Sequence, residues 1–527
     1  MLYRWLKKLR VIISTLFFLV LTGLFLDITG TLHNPFTLVL THLQFVPSVI
    51  LFISTGALIS LAFLFILLLT LLFGRVYCST LCPMGTLQDV VIYLSRKLKP
   101  GKSIFKFGKP KNWLRYSILV LVILSLATGT IVLVNITDPY SMFGKMVHNL
   151  VLPPLVFGNN VAAKALSFIN VYLFFPVKWV SVNILALGLS LSWLILVLAM
   201  SVRKGRLYCN TVCPLGTLLG LVSKVSLFRI RLDKSLCNSC GKCSAVCKAQ
   251  CINPKDQSLD FSRCVGCMNC LLPCPDRGVK FQPSWKKEEV RFTAFDPGRR
   301  KFLEETGLLV AGTLAVSPRL LAQQTLQTDK KEIIPASVPI HREHPVTPPG
   351  SLNRERFHAL CTACHLCVSA CPTQVLQPTF IHYGLKGFLQ PRMDYITSFC
   401  NYECTVCGIV CPTGAIVELT REEKKLMQMG KVKFVKENCI VYTKNTACGA
   451  CSEHCPTKAV NMIPYKDKLT IPEVTDKICI GCGACEYACP TDPKSIYVEG
   501  NPIHLLAEKP KEEKLEEKID YKEEFPF

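Results

Sequence analysis

The chain has 527 residues, half of them hydrophobic, with 29 cysteines and a formal net charge of +23. That length allows three or four domains, and the apolar share calls for membrane segments. The positive charge does not indicate nucleic-acid binding. Its basic residues cluster in loops beside apolar stretches, where they set membrane orientation, and metal-bound thiolates would offset part of the formal count.

In chain order, four apolar stretches are long enough to span a bilayer, which takes about 20 residues. They cover residues 9–28, 49–73, 113–136 and 179–202. Arg4, Lys7, Lys8 and Arg10 precede the first. Residues 29–48 carry no Lys or Arg, residues 74–112 carry eight and residues 137–178 carry three. This alternation predicts that both ends of the four-helix unit are cytoplasmic. The apolar pieces within residues 137–178 are expected on the outer surface, with a re-entrant segment as the alternative.

This half contains a repeat. GRVYCSTLCPMGTL at 74–87 returns as GRLYCNTVCPLGTL at 205–218. Cys78, Cys82, Cys209 and Cys213 therefore sit at cytoplasmic helix ends, each pair on one face of a helical turn. One reading is two buried helix ends stopped by proline. The reading favoured by the duplication is a shared dithiol or redox-metal centre.

Acidic residues are scarce: before Asp233 the chain has only Asp27, Asp89 and Asp138. Asp27 and Asp138 fall at the outer ends of spans, and His42 and His148 follow on the same side. Ionisable groups at such depth are functional candidates. Asp and His can take the protons that a quinol sheds as it gives up electrons, so these four are the candidate quinol residues. The alternative is helix capping by Asp and interfacial His.

Two runs follow the fourth span. Cys237, Cys240, Cys243 and Cys247 form the first; Cys264, Cys267, Cys270 and Cys274 form the second. This is the bacterial ferredoxin spacing, in which three sulfurs grip one cluster and the fourth reaches its neighbour. The expected sets are Cys237, Cys240, Cys243 with Cys274, and Cys264, Cys267, Cys270 with Cys247. Zinc would favour pairs of Cys-x-x-Cys knuckles instead. Cys251 is left over and could exchange with Cys247.

Beyond residue 351 come four more runs: Cys361, Cys364, Cys367, Cys371; Cys400, Cys404, Cys407, Cys411; Cys439, Cys448, Cys451, Cys455; and Cys479, Cys482, Cys485, Cys489. The outer two have regular spacing and the inner two carry insertions. That symmetry suggests nested pairing, first run with fourth and second with third. Cys361 to His365 also matches a c-type haem site, but two further cysteines at ferredoxin spacing argue for a cluster. The six runs, the four helix-end thiols and Cys251 account for all 29 cysteines. So many one-electron carriers, with no Walker loop or Rossmann fingerprint, predict electron transfer rather than conversion of a metabolite.

Between the halves stands FDPGRRKFLEETGLLVAGTLAVSPRLLAQ, residues 295–323. Arg299 and Arg300 followed by a modest apolar run read like a bacterial twin-arginine export signal, placed mid-chain. The competing reading is a short helix with chance arginines.

The two Gly-Arg-x-Tyr-Cys-x-Thr-x-Cys-Pro-x-Gly copies and the ferredoxin pair after them resemble the NapH-type quinol dehydrogenase membrane component. They are also similar to the membrane parts of the nitrous-oxide-reductase accessory flavoprotein and the cytochrome-oxidase assembly ferredoxin. The twin arginines, VTPPGSLNRERFHALCTACHLCVSACP and the three later runs resemble the NapG/MauM polyferredoxin. The resemblance implies a fusion of two subunits, an electron-transfer part of a quinol dehydrogenase. It would pass electrons from quinol to a periplasmic reductase or cytochrome subunit.

The expected fold is a membrane α-helical four-helix unit (1–220) plus α+β bacterial-type ferredoxin domains. These are a two-cluster domain (221–285) and a four-cluster domain (351–505). The signal (295–323), a proline-rich linker (324–350) and a charged tail (506–527) complete the plan. The expected cofactors are six 4Fe-4S clusters and a further metal centre at the Cys78–Cys82–Cys209–Cys213 quartet, with quinone as substrate. The expected location is the inner membrane, N-terminus cytoplasmic and residues after about 323 periplasmic. Two rival roles stand beside this: a conduit fed by a cytoplasmic ferredoxin or flavoprotein, and a copper- or thiol-reducing assembly factor.

Overall fold

The computed structural model describes residues 2–27, 30–32, 35–56, 58–98, 105–179, 181–284, 338–380, 382–466 and 468–509. The twin-arginine stretch, most of the linker and the end of the charged tail lie outside the described residues.

Helix α1 (Leu2–Leu26) is rich in Leu, Ile, Val and Phe beyond Arg10 and has no proline, and its 25 residues reach about 37 Å. The second apolar stretch is divided. After α2 (Pro35–His42), α3 (Phe45–Thr55) stops where Gly56 turns left-handed at φ 63° and bonds back to Phe52. The stretch resumes in α4 (Ala62–Phe73). Short α5 (Tyr77–Thr80) and the amphipathic α6 (Pro83–Leu98) follow. The third stretch is likewise split, into α7 (Asn112–Ala127) and α8 (Val132–Thr137), around Gly129.

Then comes α9 (Pro139–Met146). Asp138 caps it through Ser141 N–H, and Pro139 sits at its first turn. It continues through a π-helical turn (Val147–Val151) into α10 (Leu152–Ser167). All eight residues of α9 are buried. The buried α9 matches the re-entrant alternative for residues 137–178, while the apolar piece at 171–176 is exposed. The fourth stretch is α11 (Ile184–Lys204), about 31 Å long, followed by α12 (Leu207–Thr211) and α13 (Pro214–Ser223).

By length and composition two helices, α1 and α11, can each cross a membrane as single spans. Their apolar side chains face outward: Leu9, Ile12, Leu16 and Leu19 on α1, and Leu185, Leu191 and Ile195 on α11 are exposed. α7 adds Val120, Leu121 and Ile123. Soluble surfaces rarely carry such continuous apolar faces, so the chain is membrane-associated.

The first ferredoxin-like region is closed by antiparallel strands β1 (Phe228–Leu232) and β4 (Val279–Pro283), with the short pair β2 (Ile252–Asn253) and β3 (Ser258–Leu259) between them. The C-terminal region is framed by an antiparallel pair, Met427–Phe434 with Ile496–Leu506. One continuous buried core joins Phe25 and Tyr140 of the helices to Ile230 and Cys270 of the first region and Leu366 and Met429 of the second.

Helix α1 serves as a ruler for this arrangement. Arg10 donates to Ser79 O at 3.1 Å and Ser14 Oγ meets Thr86 Oγ1 at 2.7 Å. Phe25 stacks on Tyr140 with centroids 5.7 Å apart and touches the contact between Gly144 and Cys364 O. Arg10 and Phe25 lie about 22 Å apart along the helix. The first ferredoxin-like region joins the helical unit at the Arg10 end and the C-terminal region joins it at the Phe25 end.

Candidate functional site

The two sequence repeats clasp each other. Arg75 of the first is fully buried and reaches into the second, donating to Gly216 O at 2.6 Å and Cys209 O at 3.4 Å. Arg206 of the second is equally buried and donates to Cys78 O at 2.6 Å. The glycine three residues past the cysteine of each Cys-Pro pair allows this. A Cβ on Gly85 would stand 2.2 Å from Cys78 O, and one on Gly216 would stand 2.2 Å from Cys209 O. The motif is thus a reciprocal main-chain clamp. Its four thiols gather at the joint: Cys78 and Cys82 lie within electrostatic reach of Cys209, and Cys213 within reach of the other three. Gln88 Nε2 donates to Cys209 Sγ at 3.2 Å, and Gly216 N–H to Cys213 Sγ at 3.3 Å. Buried thiols receiving N–H donors suit a thiolate or metal-bound form.

Around this joint runs a charged layer. Asp89 bridges Arg206 at 2.8 Å, Lys248 at 3.1 Å and Arg10 at 3.3 Å. Burial raises its pKa, but the three cations overcome this and hold the carboxyl well below the usual carboxylate range. Lys248 belongs to the first ferredoxin-like region, so Asp89 ties that region to the helices. Arg75 adds bonds to Cys264 O and Arg263 O, and Arg115 donates to Ser262 O at 3.0 Å.

In that region Cys237, Cys240, Cys243 and Cys274 line one cavity, while Cys247, Cys264, Cys267 and Cys270 line another. Cys251 lines the second as well, its Sγ 3.6 Å from that of Cys247. The site thus offers five thiols for four ligand positions.

In the C-terminal region the thiols gather by neighbouring runs. Cys361, Cys364 and Cys367 share electrostatic contact with Cys411. Cys400, Cys404 and Cys407 share it with Cys371. Cys439, Cys448 and Cys451 line a cavity with Cys489, and Cys479, Cys482 and Cys485 stand with Cys455. Nested pairing of first with fourth and second with third is therefore incorrect. Neighbouring runs, first with second and third with fourth, fold onto each other, and each pair absorbs one insertion.

Each group offers four thiols, the donor set of a 4Fe-4S cluster. Among the described residues, no three His, Cys, Asp or Glu are arranged to grip a single metal ion. In three of the groups the sulfurs surround a cavity, which fits a multi-iron cluster. His365, flanking Cys364, is buried; its Nε2 meets Leu389 O at 2.9 Å and its ring packs edge-on to His148. It is thus occupied within the protein rather than set as a haem ligand.

The four candidate quinol residues each have partners of their own. Asp27 receives the N–H groups of Gly30 and Leu32 at 3.0 and 2.6 Å, a loop-capping role. His42 rests against Pro412. His148, in the π-helical turn, bonds Ser369 Oγ at 2.8 Å. Asp138 is the most central. It lies within electrostatic reach of Tyr77 and Tyr208 on the quartet side, and of Lys145 and Cys364 on the other. Its Oδ1 and the Tyr140 hydroxyl are buried without hydrogen-bond partners among the described residues. The roles of Arg75, Arg206 and Lys145 were missed from sequence. Their only signal was the repeated Gly-Arg and a lysine in an otherwise apolar segment.

Family models for a 4Fe-4S binding domain match residues 55–101, 186–235 and 403–429, and residues 357–377; a 4Fe-4S dicluster domain model matches residues 444–492. The first of these spans both repeats. The chain is 27% identical to the electron transport protein YccM of Escherichia coli over 47% of its own length and 60% of that protein. It is 26% identical to the ferredoxin-type protein NapH of Haemophilus influenzae over 42% of its length and 66% of NapH. It thus spans less than two thirds of either. With the methylamine utilization ferredoxin-type protein MauM of Methylophilus methylotrophus it shares 31% identity over 31% of its length and 74% of MauM. No solved structure matches. With 4Fe-4S models, cysteine-lined cavities and this level of identity in agreement, the chain belongs to the NapH/NapG-like family of ferredoxin-type, iron–sulfur electron-transfer proteins.

Proposed function

We propose that this protein is a membrane electron conduit that takes electrons from quinol and delivers them to a partner reductase or cytochrome subunit. One observation carries the reading: cysteine groups suited to clusters lie at both ends of a helical unit, with the four-thiol joint between them. Bound 4Fe-4S clusters supply one-electron carriage. The chain's own residues do the rest. Arg75 and Arg206 fix the joint, and Tyr77, Tyr208, Asp138 and Tyr140 fill the path from the joint to Cys364. Oxidation of a quinol releases two electrons and two protons. Asp138, buried with one oxygen unpartnered, is placed to hold a proton. The quartet is proposed to hold a metal centre linking the two ends.

In this reading the N-terminus and the first ferredoxin-like region are cytoplasmic, and the C-terminal region is periplasmic, exported by the twin-arginine stretch. A fusion of NapH-like and NapG-like parts accounts for the order of motifs. A second reading, delivery from a cytoplasmic ferredoxin or flavoprotein, is favoured by the exposure of Cys240, which leaves that ligand set open to a soluble donor.

The test uses the purified full chain with about 24 irons, as six clusters require. A soluble naphthoquinol should bleach its iron–sulfur absorbance. Cys78→Ser or Cys209→Ser should leave the cluster iron in place but slow communication between the two ends. A fully loaded chain that dithionite bleaches and quinol does not would sink the quinol reading.

A further inference from the structure

A cavity of about 160 Å³ opens between α9, the π-helical turn and α11. Resting on the proposed quinol oxidation, we infer that this cavity is the quinone-headgroup site. Its polar end is made by Lys145, Asn149 and Ser190, its sides by Met146 and Trp193, and its cap by Phe388 of the C-terminal region.

Four observations support it. First, the chemistry fits a planar ring bearing two opposed oxygens. Lys145 is buried, and one of its three ammonium donors goes to Asn135 O. Donors remain for a quinone carbonyl. Asn149 Nδ2 gives its proton to Ser190 Oγ at 2.9 Å, which aims the amide and leaves its carbonyl oxygen as the acceptor for a quinol hydroxyl. Trp193, Met146 and Phe388 supply the apolar walls on which such a ring packs.

Second, the access fits. The α11 wall belongs to a helix of membrane length whose Leu185, Leu191 and Ile195 are exposed, so a lipid-dissolved molecule meets it from the bilayer. Third, Asn149 lies in the π-helical turn. Such turns are rare, cost regular hydrogen bonding, and occur mostly at functional sites. Fourth, the cavity abuts a cluster site. Lys145 is within electrostatic reach of Cys361 and Cys364. Leu389, also in the wall, receives the hydrogen bond of His365, next to Cys364. None of the four residues selected by sequence lines this cavity; His148 is the neighbour of Asn149 and turns to Ser369 instead.

The experiment measures equilibrium binding of a fluorescent hydroxyquinoline N-oxide, a quinol analogue, to the full chain in nanodiscs. Iron content and quinol-driven bleaching are measured on the same samples. Ser190→Phe and Lys145→Met should each weaken binding about tenfold or more, with iron content unchanged. Ser192→Phe, on the exposed side of α11, should bind like wild type. Trp193 gives a readout that does not depend on these variants: the probe should quench its emission, and Trp193→Phe should abolish that quench. If Ser190→Phe and Trp193→Phe keep wild-type binding and quenching while wild type is bleached by quinol, this site is wrong and the quinol reading stands. If wild type neither binds the probe nor is bleached by quinol, yet bleaches with dithionite, both fail together.

Discussion

The two cluster-bearing regions hold the same helical unit by different chemistry. The first region is fastened by charge and main-chain carbonyls: Lys248 to Asp89, Arg75 to Cys264 O and Arg263 O, and Arg115 to Ser262 O. The C-terminal region has no comparable ion pair at its joint among the described residues. It docks mainly by shape, with Gly144 laid against Cys364 O and Gly414 against Leu51, by neutral contacts such as His148 to Ser369, and by one exposed cation, Lys178, which donates to Ser398 Oγ at 3.1 Å and Thr373 O at 3.4 Å. Loss of the buried Asp89 charge should therefore act on the first joint, and added volume at Gly144 on the second.

The largest expected effect is at Asp89. Its folded pKa is depressed, so its stabilising contribution is complete above the ordinary carboxylate range and is lost only as pH falls through the lowered value. At neutral pH it is a full charge facing three cations. Asp89→Asn leaves Arg206, Lys248 and Arg10 without their counter-charge, a cost of about 3–5 kcal/mol for breaking a buried ion network. The expected outcome is a lower unfolding temperature and loss of iron from the Cys237–Cys274 region, with iron at Cys361–Cys489 retained. Loss from both regions in equal measure would mean that the joints are not independent.

Gly144→Ala should do the opposite. The added Cβ would stand 2.3 Å from Cys364 O and 2.6 Å from the Phe25 ring. A backbone carbonyl cannot swing away, so α9 or the C-terminal region must shift. Overpacking of this kind costs about 1–3 kcal/mol. The C-terminal region should become more accessible to protease while the first region keeps its iron. Gly158→Ala, where a Cβ meets nothing within 4 Å, is the control.

This contrast explains what was legible in the sequence. Ferredoxin-type cysteine spacing is local, so the six runs stand out in the sequence. The partner of each run is set by how the chain folds between them, and the apparent symmetry of insertions pointed to nested sets where neighbours in fact pair. Apolar length revealed α1 and α11, whereas single residues such as Gly56 and Gly129 split the other two stretches. Arg75 and Arg206 looked like orientation signals beside a span. Only packing turns a helix-end arginine into a clamp across the repeat. The cavity beside α11 was hidden for the same reason: Lys145, Ser190 and Phe388 are far apart in the chain and share no motif.

The smallest effect tests whether polar contact contributes anything at the shape-fitted joint. His148 is buried, its Nδ1 is 2.8 Å from Ser369 Oγ, and its ring lies 5.8 Å from that of His365. A neutral hydrogen bond contributes about 0.5–1.5 kcal/mol, and deleting one side leaves a buried polar atom unpaired. The single substitutions His148→Ala and Ser369→Ala therefore each overstate the bond, because each strands its partner or opens a cavity. The double-mutant cycle removes that error. A coupling of about 0.5–1.5 kcal/mol in thermal unfolding is expected. It should persist at high salt, because neither partner relies on an exposed charge. Coupling near zero would leave the joint to its other contacts, such as Gly144 against Cys364 O and Gly414 against Leu51, and would make the π-helical turn a feature of the neighbouring cavity rather than of the joint.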